Sequence, residues 1–100
     1  MPERVLLVTT DLLFRSKLAA VVTASGAEVT YDEAACDLAA IELGDARAPD
    51  RIRRLVERGV PVLAYGAHVR ADLLRAAREA GATAVPNSEV EGRLRDLLKP

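Results

Sequence analysis

The stretch Asp37-Leu38-Ala39-Ala40-Ile41-Glu42-Leu43 decides the fold. Four consecutive apolar residues, then one carboxylate and a turn signal at Gly44-Asp45, read as a parallel strand buried on both faces that delivers Glu42 to the carboxyl edge of a sheet. In open α/β sheets that edge is where ligands bind. The rest of the chain arranges itself as strands beside this one and helices over it.

Upstream, Arg4-Val5-Leu6-Leu7-Val8 is a first buried strand, and Thr9-Thr10-Asp11 turns it into a helix. Asp11 suits the N-cap, because its carboxylate accepts from the free amides of the first turn. Phe14, Leu18, Val21 and Val22 recur at helical spacing up to Ser25, and Gly26 supplies a left-handed C-cap. Ala27 to Tyr31 alternates as a second strand. Only Asp32 to Cys36 then separates it from the central strand, where a parallel crossover ordinarily needs a dozen residues and a helix. The link is therefore a single turn capped by Asp32 or an extended segment. About seven residues at ~3.3 Å each span roughly 23 Å, enough to return one strand length. The sheet face at this point is expected to be thinly covered, and an uncovered apolar face favours a partner or a second copy of the chain.

Downstream, Pro49 sits at the first position of a helix with Ile52, Leu55 and Val56 inward and Gly59 at its end. Val60 to Tyr65 is the fourth strand, and Gly66-Ala67-His68 is the loop after it. A further helix turns Val69, Leu73, Ala76, Ala77 and Ala80 inward and is capped by Gly81. Ala82 to Pro86 is the fifth strand, with Pro86 at its end, where a missing N–H is tolerated. Ser88 and Glu91 have the spacing of a capping box before a last helix that packs Val90, Leu94, Leu97 and Leu98. Strands alternating with helices imply a three-layer α/β domain on one parallel sheet, spanning residues 1–100.

Composition narrows the function classes. Aromatic residues are only 3% of the chain, so the core is built from Val, Leu, Ile and Ala, as two-faced parallel sheets are. No apolar run approaches the ~18 residues of a membrane span, and the amino terminus lacks the pattern of a leader. The single Cys36 has no disulfide partner within the chain and reads as an inert thiol in a reducing, cytoplasmic setting. The net charge of -1 lacks the basic footprint of a nucleic-acid binder. Charge is uneven all the same. Residues 28–45 hold six acidic residues and no base, whereas residues 47–58 hold five arginines against two acids. Arg51, Arg54 and Arg58 therefore read either as a solvated helix face or as a docking patch for an acidic protein. No glycine-rich phosphate loop follows the first strand, and Ser16, Ser25 and Ser88 all have cap or surface explanations.

Taken together, the chain resembles the receiver domain of bacterial two-component response regulators, whose flavodoxin-like sheet has the order 2-1-3-4-5. The resemblance covers nearly the whole chain, with the second helix of that family missing or reduced to one turn. Its chemical motif is degenerate. The family's acidic, magnesium-holding pair after the first strand corresponds to Thr9, Thr10 and Asp11. Its phosphorylated aspartate corresponds to Glu42, its Ser/Thr switch to Gly66, and its lysine to a segment where Asn87 and Ser88 stand with no lysine. Magnesium requires several carboxylate oxygens around one point, and two threonines remove them. Without metal, switch hydroxyl and lysine, nothing stabilises a transferring phosphoryl group.

The resemblance thus implies a stand-alone pseudo-receiver outside the phosphorelay, with no cofactor, no metal and no catalysis. Such a domain acts through protein–protein contact in a signalling assembly, with self-association as one mode. Two readings of Glu42 stand at this point: a longer carboxylate that mimics a phosphorylated aspartate, or a strand-end residue bonded to the Thr9 or Thr10 hydroxyl. His68 reads as a surface or capping residue, or as part of a polar cluster with Asp11, Glu42 and Asn87 at the same sheet edge. That second reading of His68 supports the alternative function, a small flavodoxin-like enzyme or ligand-binding domain using Glu42 and His68.

Overall fold

A computed structural model describes residues 2–99. The strands are β1 (Arg4–Val8), β2 (Glu28–Thr30), β3 (Leu38–Glu42), β4 (Val62–Gly66) and β5 (Thr83–Pro86). The helices are α1 (Leu12–Ala24), α2 (Ala48–Glu57), α3 (Ala71–Glu79) and α4 (Val90–Leu97). All neighbouring strands pair in parallel, in the order β2-β1-β3-β4-β5. This is the order that the resemblance implies. Residues 38–41 of β3 are buried on both faces, as a central parallel strand requires.

The register sorts the core into two halves. Val5 and Leu7 share one face with Leu38, Ala40, Leu63, Tyr65 and Val85, and α1 and α4 cover it with Leu18, Val21, Val22, Val90, Leu94 and Leu98. The opposite face carries Leu6, Ala39, Ile41, Val62, Ala64 and Ala84 under α2 and α3, which supply Ile52, Leu55, Leu74 and Ala77. Among the described residues no helix is long and apolar enough to cross a membrane.

The missing crossover helix is replaced by one 3-10 turn, Glu33–Ala35, capped by Asp32, whose Oδ1 accepts from Ala34 N at 3.0 Å. The expected exposed apolar face does not form. Leu6 is only 2% exposed. Two features explain this. The residues of β2 that share the Leu6 face, Glu28 and Thr30, are polar and need no cover. The turn itself is also pinned down by α2. Glu33 pairs with Arg51 at 3.3 Å and with Arg54 at 3.1 Å, while Arg58 donates to the carbonyls of Glu33 (2.9 Å) and Ala34 (3.2 Å). Asp37 ends the link by accepting from the amides of Glu3 and Arg4 at 3.1 and 3.0 Å. Arg51, Arg54 and Arg58, read from the sequence as a docking patch or a solvated face, are thus all bonded to the link, with Arg54 and Arg58 still exposed to solvent.

Several local expectations shift. Pro49 lies one position inside α2, which begins at Ala48. α3 begins at Ala71, so Val69 precedes it and is 84% exposed, and the inward position belongs to Leu74, with Leu73 only half-buried. Ala76 faces out. Ser88 caps nothing: Asn87–Glu89 forms a 3-10 turn ahead of α4, which starts without a side-chain cap. Leu97 is 45% exposed, because Val90, Leu94 and Leu98, spaced four apart along the helix and its cap, take the core positions and leave Leu97 to one side. Gly81 has φ +104, and a Cβ there would sit 2.9 Å from Val56 Cγ1, so the return from α3 into β5 needs glycine. At the outer edge of the sheet Arg78 Nη2 donates to the Ala84 carbonyl of β5 at 2.8 Å.

The Arg54 guanidinium, with Arg51 beside it, holds the Glu33 carboxyl below its ordinary value of 4.5, against the opposing effect of partial burial. A depressed carboxyl contributes stability above its unfolded pKa and loses it as pH falls through the folded value. Glu33→Gln is therefore expected to lower stability by about 1 kcal/mol at pH 7, the scale of a half-exposed ion-pair network. Urea denaturation should show the gap from wild type closing as pH falls below 4.5; an undiminished gap at pH 3 would count against the clamp.

Candidate functional site

Three short segments build the carboxyl edge around Glu42. β3 ends there, with Tyr65 of β4 as its cross-strand partner. The turn after β1 supplies the donors. Glu42 Oε1 accepts from Thr10 N at 3.1 Å and from Thr10 Oγ1 at 2.9 Å, and Oε2 accepts from Thr9 Oγ1 at 3.2 Å. The strand-end carboxylate is thus bonded to both threonine hydroxyls. Thr9 Oγ1 also accepts from the Asp11 amide at 3.1 Å, which ties the turn to the helix start.

Asp11 is the α1 cap predicted from the sequence, its Oδ1 accepting from Leu13 N at 2.8 Å and Phe14 N at 3.2 Å. This decides how well the site suits the magnesium implied by the resemblance. Such an ion takes oxygen lone pairs from convergent carboxylates. Here Glu42 is surrounded by hydrogen-bond donors, and the one carboxylate near it in the turn is bonded to helix amides. Among the described residues no three His, Cys, Asp or Glu side chains form a group able to hold a metal. The donor set does not fit magnesium.

Two residues not singled out from the sequence complete the edge. Arg15, one turn into α1, donates from Nη2 to the Thr9 carbonyl at 3.0 Å, and its guanidinium lies 5.8 Å from the centre of the Tyr31 ring. It braces the turn that holds Glu42. Tyr65 is fully buried against Phe14, ring centres 5.3 Å apart, and its hydroxyl has no hydrogen-bond partner among the described residues. Burial first, and then the Glu42 and Asp11 carboxylates, push this phenol up to about 12; the Thr9 hydroxyl opposes them only by its nearness, since it makes no hydrogen bond to the phenol and donates to Glu42 instead. Neither residue has a sequence signal of its own. Arg15 looks like helix surface and Tyr65 like core.

The other candidates are dispersed. Gly66 is buried, and a Cβ on it would lie 3.3 Å from Leu43 Cβ, so the switch position is closed to a larger side chain unless Leu43 gives way. Asn87 and Ser88 line a cleft of about 290 Å³ with Phe14, Lys17 and Glu91, none of which bonds to Glu42. His68 is exposed and has no ion-pair or hydrogen-bond partner among the described residues, so the polar cluster read as one option does not assemble. Cys36 is buried, donates to the Glu33 carbonyl at 3.4 Å, and has its thiol pushed up by burial.

No family model matches the chain, and no curated protein matches it. Solved structures do. A response regulator protein from Burkholderia multivorans superposes with a TM-score of 0.74 at 23% identity, covering 100% of this chain and 98% of that one. The chain has the receiver fold. An orphan response regulator of H. pylori, HP1043, gives a TM-score of 0.72 at 18% identity over 96% of each chain. NtrX from Brucella abortus gives 0.76 at 16% identity over 97% of this chain, which spans only 26% of that larger protein. Within this receiver fold, the Glu42 bonds occupy the edge at which the third strand ends.

A buried hydroxyl without a partner leaves its desolvation uncompensated, about 1–3 kcal/mol. Tyr65→Phe is accordingly expected to raise stability by about 1 kcal/mol and the melting temperature by about 4 °C. A fall of that size in a thermal melt would mean that the hydroxyl has a partner in solution.

Proposed function

We propose that this chain is a single receiver-like domain that carries no transferable phosphoryl group and acts through protein–protein contact in signal transduction or regulation. The observation that carries the reading is the bonding of Glu42. Its carboxylate is held by Thr9 Oγ1, Thr10 Oγ1 and Thr10 N, donors of the chain itself. Phosphoryl transfer to a carboxylate depends on positioned positive charge around the moving oxygens. The turn offers hydroxyls and an amide instead, and no lysine stands at Asn87-Ser88.

A carboxylate fixed in this way keeps the carboxyl edge in one arrangement without a covalent signal. The edge is then a permanent surface rather than a switched one.

Two measurements test it. Beryllofluoride with magnesium, a metal-dependent phosphoryl mimic, is expected to leave the amide spectrum around Thr9, Thr10 and Glu42 unchanged; saturable shifts there would overturn the claim. A crosslinking pull-down with wild-type and Glu42→Gln baits addresses the output. A partner lost with Glu42→Gln assigns the recognised surface to the carboxyl edge, one held equally by both moves it to the helices, and no partner with either bait defeats the reading.

A further inference from the structure

The helices of this domain are unequal. Charged residues make up five of ten positions in α2, four of nine in α3 and four of eight in α4. In α1 they are two of thirteen, Arg15 and Lys17, with no acid. Surface helices keep a polar outer face. The outer face of α1 instead mixes the apolar Leu12 (73% exposed), Leu13 (63% exposed), Ala20 and Ala24 with Ser16, Thr23 and the single charge of Lys17.

This face borders an open trough of about 720 Å³ between α1 and α4, floored by Ala20, Val21, Ala24 and Leu98. Lys17 and Glu91 also line the smaller cleft beside Asn87 and Ser88, so the two run together along the helix pair. The rim carries three cations, Lys17, Arg95 and Lys99, against the single acid Glu91. Lys99 is paired with Asp96 at 3.1 Å, whereas Lys17 and Arg95 have no ion-pair partner among the described residues. Ser16, Ala20 and Ala24 are spaced four apart on the trough side of α1, and their small side chains let a third helix approach closely.

We propose that this trough seats an acidic amphipathic helix of another protein, its apolar stripe on Ala20, Val21, Ala24 and Leu98 and its carboxylates on Lys17 and Arg95. The charge of the rim selects an acidic partner, and an apolar floor between two helices selects a helix, the helix-in-groove mode of recognition. A second copy of this chain does not supply it, because none of α1 to α4 has more acidic than basic residues. The inference rests on the reading of the chain as a protein-binding domain and adds the surface and the chemistry of the partner.

The test titrates the 15N-labelled chain with an 18-residue helical peptide bearing leucines at helical spacing flanked by glutamates, and with a twin carrying lysine for every glutamate. The acidic peptide is expected to give saturable shifts at Ser16, Ala20, Ala24 and Leu98, weakened at least tenfold by Lys17→Glu with Arg95→Glu. Ala20→Arg, at an exposed position, blocks the same trough without touching the core and should weaken binding equally. Equal binding of the lysine twin, absence of saturable shifts, or concentration-dependent shifts of the trough without peptide, the mark of a second copy, would each overturn the proposal. Shifts confined to another face also overturn it while leaving the domain a protein binder. Failure of that broader reading is seen separately, as empty pull-downs.

Discussion

A carboxylate at the end of a strand buried on both faces has to find donors, and the edge of this domain is organised by that requirement. Glu42 emerges from β3 beside the turn that follows β1, where Thr10 offers an amide and a hydroxyl and Thr9 a second hydroxyl. Satisfying the carboxylate fixes the turn, the turn sets the position of Asp11, and Asp11 starts α1. Arg15, one turn into that helix, reaches back to the Thr9 carbonyl and closes the circuit. The edge therefore gains its order from hydrogen bonds within the chain, in a place where a receiver fold with more carboxylates would meet a metal ion.

The same economy of parts governs the opposite side of the sheet. A helix between β2 and β3 would ordinarily cover the Leu6 face, and its omission is tolerated because β2 brings only Glu28 and Thr30 to that face. One turn then suffices, held by a single carboxylate shared between Arg51 and Arg54 and by Arg58 on the carbonyls. The arginines of α2 serve in place of missing apolar packing.

The fold was legible because its signals are local and repeated: buried strands of Val, Leu, Ile and Ala, glycines after helices, and the Asp11 cap. What the sequence hid was set by tertiary geometry. The inward phase of α3 depends on where the helix begins, which decides between Leu73 and Leu74 and expels Val69. The spacing of Ser88 and Glu91 mimics a capping box, but Pro86 leads into a 3-10 turn that takes the place of the cap. The destination of the α2 arginines was invisible, since ion pairs 18 and 21 residues apart carry no periodic signal. At the site, the partnership of Glu42 with the threonine hydroxyls was one of two readings open from sequence, whereas the roles of Arg15 and Tyr65 depend on neighbours that only the fold brings together.

The two margins of the sheet bear on how this chain meets other molecules. β2 is three residues long and β5 four, and Arg78 already occupies the Ala84 carbonyl of β5. Short outer strands with engaged backbone groups make poor templates for another strand. Strand addition, and the fibrous stacking that follows from it, is disfavoured by the shortness of both outer strands and, at β5, by the engaged Ala84 carbonyl. The side chains of the helices and loops then offer the larger surface to another molecule, in residues that can vary while the sheet stays as it is.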